Sequence, residues 1–228
     1  MIQRGSLYVV STPIGNMRDI TLRALDVLRA VDLVVCEDTR RTRSLLTHYD
    51  IHKPLISYND ANKTSRTPSL LAKLSNGESI ALVSDAGTPA ISDPGFYLVR
   101  EAIKHGINLV PIPGPSAILA ALVTSGLPTD RFLFVGFLSK KSGRRKTQIR
   151  SFAEERGTII LYEAALRLPK IARDLLEVLG PDRQVVLARE LTKRFEQVAR
   201  TDLENLPETL KEIPLKGEFV VLVSGNTK

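Results

Sequence analysis

Residues Ile80 to Gly95 read IALVSDAGTPAISDPG, an apolar run that ends in two similar clusters of Asp, small residues, Pro and Gly. The run 80–84 predicts a strand that is covered on both faces, as in a parallel sheet. The clusters that follow it either turn the chain into a helix or expose backbone groups to a ligand. Which role applies depends on what the other predicted strands carry at their ends.

Strand-like and helix-like segments alternate along the chain, which predicts an α/β fold with largely parallel sheets. The predicted strands are residues 6–11, 33–37, 80–84, 107–112, 132–138, 158–163, 184–190 and 218–224. So many strands would strain one sheet, so we expect two α/β lobes. The proline-rich segment PIPGPSA (111–117) is the best boundary and predicts domains at 1–113 and 114–228.

The helices between the strands carry capping signals. Thr67 is the predicted N-cap of one helix, with Pro68 in its first turn. Asp93 and Pro94 predict the same start for the next helix, and Gly180 ends a later one.

Composition limits the classes of protein to consider. The single cysteine, Cys36, excludes an internal disulfide and reads as a small buried hydrophobe. No apolar run approaches the roughly 18 residues of a membrane span, which predicts a cytoplasmic protein that does not enter a membrane. The net charge of +7 suits acidic partners, including nucleic acid. The basic segment SKKSGRRK (139–146) is either an ordinary solvated surface or a phosphate-contacting patch.

The sequence gives no support for nucleotide-binding loops, metal sites or Ser-His-Asp catalysis. The sequence has neither a Gly-x-Gly-x-x-Gly fingerprint nor a Gly-Lys-Ser/Thr loop. Its only histidines are His48, His52 and His105, so we predict no metal site and no Ser-His-Asp triad.

The ends of the predicted strands are rich in Gly, Pro, hydroxyl and charged residues. They read STPIGN (11–16), CEDTRRT (36–42), SDAGTP (84–89), PGPSA (113–117), YEAALR (162–167) and ARELTK (188–193). Because ligands bind beyond the carboxyl ends of parallel strands, these segments predict a binding cleft.

These segments, in this order, resemble the tetrapyrrole methylase superfamily, and within it the bacterial enzymes that methylate small-subunit ribosomal RNA. The resemblance implies two α/β lobes with S-adenosyl-L-methionine bound between them, and a homodimer. It further implies 2′-O-methylation of a cytidine ribose in the decoding region of 16S rRNA, with the small ribosomal subunit as partner. Where the family pattern has Pro-His, this chain has Ala165 and Leu166.

The resemblance also implies a set of cofactor contacts. They are Pro13, Ile14, Gly15, Asp85, Ala86, Gly87, Thr88, Ile91, Ser116, Ala117, Tyr162, Glu163, Arg189, Glu190, Gly217, Glu218 and Phe219. In the opening stretch, Asp85 to Thr88 is therefore expected to bind, whereas Asp93 to Gly95 is expected to start a helix.

Methyl transfer to a ribose hydroxyl would benefit from a base or a charged partner near the oxygen. The candidates at strand ends are Asp38, Arg40, Asp85, Glu190 and Lys193. Asp38 could equally be an N-cap, and Glu190 with Lys193 could equally be a surface ion pair.

Contacts with RNA are predicted on two basic clusters. They comprise Arg40, Arg41, Arg43, Lys140, Lys141, Arg144, Arg145 and Lys146. With aromatics at 5% and no Trp, no stacking platform is expected. Two alternatives remain open: methylation of a carbon of a small tetrapyrrole, and a non-enzymatic RNA-binding module.

Overall fold

The computed structural model describes residues 2–226, which fold into two units. Unit 1 runs up to Ser116 and unit 2 begins at Ala117. The sequence places the boundary after residue 113, in the same proline-rich segment.

Unit 1 is a parallel sheet covered by helices on both faces. Its strands are β1 (Ser6–Val10), β2 (Leu33–Cys36), β3 (Leu55–Ser57), β4 (Ile80–Leu82) and β5 (Asn108–Ile112). Its helices are α1 (Leu22–Ala30), α2 (Thr39–His48), α3 (Lys63–Ser75) and α4 (Gly95–Lys104), with a short 3-10 turn at Met17–Asp19. The strand order is β3-β2-β4-β1-β5, and all the pairs are parallel.

Alternate residues of β2 enter the two cores of unit 1. Val34 and Cys36 pack in the core that contains Leu28, while Val35 packs with Leu70 on the other face. Cys36 is fully buried, as predicted. This two-sided burial explains why β2 is apolar throughout. The sequence gives no such signal for β3, a short edge strand of half-buried residues.

Unit 2 is a mixed sheet with helices. Its strands are β6 (Phe132–Phe137), β7 (Thr158–Ala164), β8 (Gln184–Arg189), β9 (Gln197–Asp202) and β10 (Glu218–Val223). Its helices are α5 (Ala117–Ser125), α6 (Ser142–Ser151), α7 (Leu168–Leu179) and α8 (Leu206–Glu212), with a 3-10 turn at Ala165–Arg167. The strand order is β6-β7-β10-β8-β9.

The expectation of largely parallel sheets is wrong for unit 2. There β6 and β7 are parallel, whereas β10 runs antiparallel to both β7 and β8, and β8 runs antiparallel to β9. The short connection 190–196 between β8 and β9 permits only an antiparallel return. The sequence does not reveal β9, because it is a polar edge strand, QVARTD.

Two predicted helix starts are also wrong. Helix α3 begins at Lys63, so Pro68 lies inside it, and Thr67 does not cap it. The Thr67 hydroxyl instead donates to the Lys63 carbonyl (2.7 Å) and pairs with the Tyr58 hydroxyl (2.8 Å). Helix α4 begins after Pro94 without a side-chain cap, so Asp93 does not have the capping role predicted for it. The predicted end at Gly180 is confirmed: it follows α7 with φ +86°.

The position of Pro68 gives a direct test of where α3 starts. In a helix interior, proline lacks the N–H that bonds the carbonyl four residues earlier. We expect Pro68→Ala to raise the free energy of unfolding by about 1–2 kcal/mol in urea denaturation, since the restored hydrogen bond outweighs the added freedom of the unfolded chain. Pro169→Ala is the matched control, because Pro169 lies in the first turn of α7. If α3 began at Pro68, both variants would behave alike.

Candidate active site

Backbone pairing joins the loops after β1 and β4 at the carboxyl edge of the parallel sheet. The Thr12 N–H donates to the Gly87 carbonyl (2.9 Å), and the Gly87 N–H donates to the Thr12 carbonyl (3.0 Å). Gly87 has φ +81°, and a Cβ there would lie 3.3 Å from Cγ2 of Ile14. Glycine is therefore required at this position. Both its backbone groups are used within the protein, so Gly87 fixes the loop rather than offering free hydrogen bonds.

The Thr88 hydroxyl ties the same edge to β5. It lies 3.0 Å from the Ser11 hydroxyl and donates to the Pro115 carbonyl at 3.2 Å. The Ser84 hydroxyl donates to the Ala86 carbonyl at 3.2 Å and so closes the turn from within. Residues 84–88 thus form a rigid support, as a site on a parallel sheet requires.

Beyond this support, the loop adopts a strained conformation. Ala90 and Ser92 have φ of 69° and 61°, a region that L-residues other than Gly rarely enter. Ile91 lies between them with 38% of its surface exposed. Such strained conformations persist only where the surrounding structure enforces them. They are found most often at ligand-binding and active-site segments. The cofactor contact expected from Ile91 stays a prediction.

The candidate acids of unit 1 form a connected network. Asp38 caps α2, and its carboxylate accepts from the Arg40 backbone N–H (2.9 Å) and pairs with the Arg40 guanidinium (2.6 Å). These bonds hold the pKa of Asp38 well below its usual range. Asp85 accepts from the Asp38 N–H (3.1 Å) and lies 3.5 Å from Arg41. The capping alternative for Asp38 is therefore the observed one.

Glu37 belongs to this network, although the sequence analysis does not select it. Burial raises the pKa of Glu37 to about 7, and the nearby carboxylates of Asp93, Asp85 and Asp60 add to the effect while Arg41 opposes it. No residue that the structure describes donates a hydrogen bond to its carboxylate. The only signal in the sequence is its position directly after β2.

Asp93, the predicted cap, faces the same network. Burial raises the pKa of Asp93 to about 6, against the lowering effect of a hydrogen bond with the Ser84 side chain. Its carboxyl group is thus directed at the end of β4 rather than at α4. The two similar clusters of the opening stretch both contribute to this sheet edge.

The other predicted contacts in unit 1 lie on the same connections. Pro13 is half-buried, Ile14 is buried and Gly15 is exposed, all after β1. Ser116 is half-buried at the end of the unit.

In unit 2, Glu163 is a buried carboxylate with one unsatisfied oxygen. Oε1 accepts from the Ala164 N–H (2.8 Å) and lies 3.3 Å from Arg167. Oε2 has no partner among the residues described, and burial raises the pKa of the group. Its neighbour Tyr162 packs against Phe134 and Phe137. An unsatisfied buried oxygen is typical of a site that a ligand completes.

The segment after β8 is an ion-pair network. Lys193 bonds Glu190 (2.9 Å) and Glu218 (3.0 Å), and Glu190 accepts from the Glu218 N–H (3.0 Å). Arg189 is buried and donates to the carbonyls of Lys216 and Phe195, both at 3.0 Å. The ion-pair alternative for Glu190 and Lys193 is therefore the observed one, and Arg189 holds backbone in place.

The remaining predicted contacts of unit 2 have mixed exposure. Ala117, half-buried, is the first residue of α5. Gly217 has φ +90°, and a Cβ there would overlap the Glu190 carboxylate. The Phe219 side chain is buried in the core.

The basic segment 139–146 is only partly available to a partner. Arg145 is 4% exposed and pairs with Asp174 at 2.5 Å, so its prediction as an RNA contact is wrong. Lys146 pairs with Glu177 at 2.6 Å. The exposed members are Lys140, Lys141 and Arg144. In unit 1, α2 exposes Arg40, Arg41 and Arg43.

Two features are absent from residues 2–226. No three His, Cys, Asp or Glu side chains in this range are grouped to hold a metal ion. No helix within the same range is long and apolar enough to cross a membrane.

Comparison with known proteins gives relatives over nearly the whole chain. The family model for tetrapyrrole (corrin/porphyrin) methylases matches residues 6–207. The chain is 48% identical to the ribosomal RNA small subunit methyltransferase I of Haemophilus influenzae over 226 residues, covering 98% of this chain and 80% of the relative. It is 51% identical to the protein of that name from Synechocystis over 223 residues, with the same coverage.

Solved structures show the same fold at low sequence identity. Uroporphyrin-III C-methyltransferase from Thermus thermophilus, solved with S-adenosyl homocysteine, has a TM-score of 0.68 at 19% identity, covering 96% of this chain and 97% of that one. Cobalt precorrin-4 methyltransferase has a TM-score of 0.71 at 15% identity, covering 98% of both chains.

The raised pKa of Glu37 predicts how stability depends on pH. Because the folded state holds this proton more tightly, the stability that Glu37 contributes is complete below its ordinary pKa of 4.5 and lost as pH rises to about 7. We expect Glu37→Gln to match the parent protein at pH 4.5. At pH 8 it should exceed the parent by about 1 kcal/mol in urea denaturation, allowing for solvent screening.

Glu101→Gln is the opposite control, because Lys104 lowers the pKa of Glu101. That variant should lose stability at neutral pH. If Glu37→Gln were less stable than the parent at pH 8, burial would not destabilise the ionised Glu37 carboxylate, and the prediction would be wrong.

Proposed function

The chain belongs to the tetrapyrrole methylase family and, within it, to the ribosomal RNA small subunit methyltransferases I, and from this we infer that it is an S-adenosyl-L-methionine-dependent rRNA methyltransferase. It 2′-O-methylates the ribose of a cytidine in the decoding region of 16S rRNA. The observation that carries this function is the near-full-length similarity to curated enzymes of that name.

The residues of unit 1 fit the charge of this cofactor. S-adenosyl-L-methionine has a sulfonium, an ammonium and a carboxylate group, and therefore a net positive charge. Glu37, Asp85 and Asp93 concentrate negative charge at one sheet edge, although the whole chain has a net charge of +7. Burial raises the pKa values of Glu37 and Asp93, and Arg41 opposes this only in part for Glu37. A cationic ligand would supply a positive partner.

Specific groups of the chain would hold the cofactor. In unit 1 they are Asp85, the strained segment around Ile91 and the turn at Pro13, Ile14 and Gly15. When bound, the cofactor supplies an electrophilic methyl group that needs no metal for its transfer.

The chain itself must remove a proton from the ribose. Transfer of the methyl group to the 2′-oxygen would release the hydroxyl proton, which a carboxylate of the chain would accept. A base with a pKa near the working pH combines availability with basicity. Among the acids of unit 1, Glu37 has this property, whereas Asp38 is committed to Arg40. We assign the base role to Glu37, whose pKa is kept high by burial and by the neighbouring carboxylates of Asp93 and Asp85.

The partner of the enzyme is the small ribosomal subunit, and the enzyme acts as a cytoplasmic homodimer. On α2, exposed Arg43 supplies a phosphate contact in unit 1, next to Arg40 and Arg41, which are also exposed but pair with Asp38 and Asp85. Such contacts weaken as salt rises, because counterions compete for the phosphates.

Labelled methyl transfer tests this function. With S-adenosyl-L-methionine labelled in the methyl group, we expect label in the rRNA of small subunits that lack the modification. The label should survive alkali as a 2′-O-methylated dinucleotide, because a blocked hydroxyl cannot assist cleavage. Naked rRNA and uroporphyrinogen are the comparison substrates. Label in the tetrapyrrole and none in the subunit would refute the proposed function.

A pH–rate profile tests Glu37. We expect the parent kcat to rise with pH and level off above about 7, where the carboxylate is fully ionised. Glu37→Gln should lower kcat about 100-fold or more and remove this rise. Glu101→Gln, on α4 where Glu101 pairs with Arg100 and Lys104, should leave the profile unchanged. If Glu37→Gln retains the parent profile, the base is another group.

A further inference from the structure

An exposed aromatic side chain directly precedes the exposed basic residues of unit 2 in the chain. Phe137 ends β6 with 57% of its surface exposed, and Lys140, Lys141 and Arg144 follow within a few residues. We call these four side chains the Phe137 surface. The sequence analysis predicts no stacking platform, because aromatic residues are few.

A β-bulge turns Phe137 outward. The pairing of β6 with β7 shifts between Phe134 and Gly136, and Gly136 has φ +75°. Val135 packs against the core, so regular alternation would direct residue 137 inward as well. After the shift, Phe137 pairs with Tyr162, and their ring centroids are 5.6 Å apart. Bulges commonly redirect a side chain next to a functional site.

Two arginines fix the backbone that carries the lysines. Arg167 donates to the carbonyls of Leu138 (2.7 Å) and Ser139 (3.1 Å). Arg145 donates to the carbonyls of Ser139 (3.1 Å) and Lys140 (3.2 Å). The segment is therefore held in one conformation beside Phe137 before any partner arrives. Arg145 positions the basic residues instead of contacting RNA itself.

The charge of the Phe137 surface is available to an anion. Asp174, the nearest acid, is buried and occupied by Arg145 and Ser142. Among residues 2–226, no carboxylate pairs with Lys140, Lys141 or Arg144. The first turn of α6 also contains no acidic residue. This contrasts with Lys146, whose charge is neutralised by Glu177.

We propose that the Phe137 surface binds a single-stranded segment of the RNA substrate, with one base stacked on the Phe137 ring and adjacent phosphates held by Lys140, Lys141 and Arg144. An aromatic ring beside unpaired cations is the combination that binds single-stranded nucleic acid. This inference rests on the proposed function and names a binding surface for its substrate.

The test separates RNA binding from methyl transfer. Binding to unmodified small subunits is measured by filter retention, and initial rates of methyl transfer give KM and kcat for the same subunits. We expect Phe137→Ala to raise Kd and KM about 5- to 100-fold, the usual effect of losing one stacked base, with little change in kcat or in KM for the cofactor. Phe137→Tyr should restore both values.

Two controls identify the contact as stacking. Phe137→Leu keeps an apolar side chain without a π-face, and should behave like Phe137→Ala. Phe132→Ala alters an exposed ring at the other end of β6, and should bind like the parent. Parent-like binding by Phe137→Leu would overturn the proposal in favour of an apolar contact with a ribosomal protein. Unchanged binding by Phe137→Ala would overturn it as well.

Salt dependence tests the phosphate contacts. Each of Lys140→Gln, Lys141→Gln and Arg144→Gln should reduce the slope of log Kd against log salt by about one. Lys146→Gln should leave the slope unchanged. Equal slopes for all four variants would overturn the proposed contacts. If the parent and the variants bind subunits with the expected Kd values and salt slopes but the parent transfers no methyl group, the proposed function is wrong and the proposed RNA contact of the Phe137 surface is still supported.

Discussion

The pairing of Thr12 with Gly87 is the constraint on which the carboxyl edge of unit 1 depends. Parallel strands end at one edge, but the loops that follow them are free to diverge unless something joins them. Two backbone hydrogen bonds continue the contact between β1 and β4 beyond the sheet, and the Thr88 hydroxyl extends it to the segment that follows β5. With residues 84–88 fixed, Asp85 reaches the start of α2 and Asp93 turns back towards Ser84. Glu37 is consequently placed near the acids of the loop that follows β4.

Unit 2 achieves rigidity by a different means, using arginine side chains as backbone braces. Arg145, Arg167 and Arg189 each donate to two main-chain carbonyls, and Arg183 does the same for Ser224 and Ala153. A planar guanidinium suits this role because its donors have fixed directions. Part of the excess positive charge of the chain is therefore structural. The positive charge that is available to a polyanionic partner is therefore smaller than the net charge of +7 suggests.

Local patterns in the sequence predict those features whose causes are local. The apolar run of β2 and the glycine after α7 are examples, since two-sided burial and a positive φ each restrict the residue directly. The start of α3 is not predicted correctly because the Thr67 hydroxyl is buried and pairs with the Tyr58 hydroxyl, a partner outside the helix. Asp93 lies at the sequence position of a helix cap, yet its carboxyl group forms a hydrogen bond with the Ser84 side chain. The raised pKa of Glu37 depends on burial and on carboxylates that the fold brings near it, and no spacing in the sequence encodes either.

The bulge in β6 has a consequence for how this strand tolerates change. One residue of β6 is unpaired. Side chains after it therefore point to the opposite face from the one that the alternation before it would give them. If every residue of β6 paired in register with β7, Phe137 would return to the inner face and Leu138, now buried, would turn towards water, whereas deleting the unpaired residue would leave Phe137 opposite Tyr162. The pairing register after the bulge, more than the chemical identity of the residues, thus decides which side chain meets solvent. A one-residue insertion after the bulge is accordingly more disruptive than a substitution there.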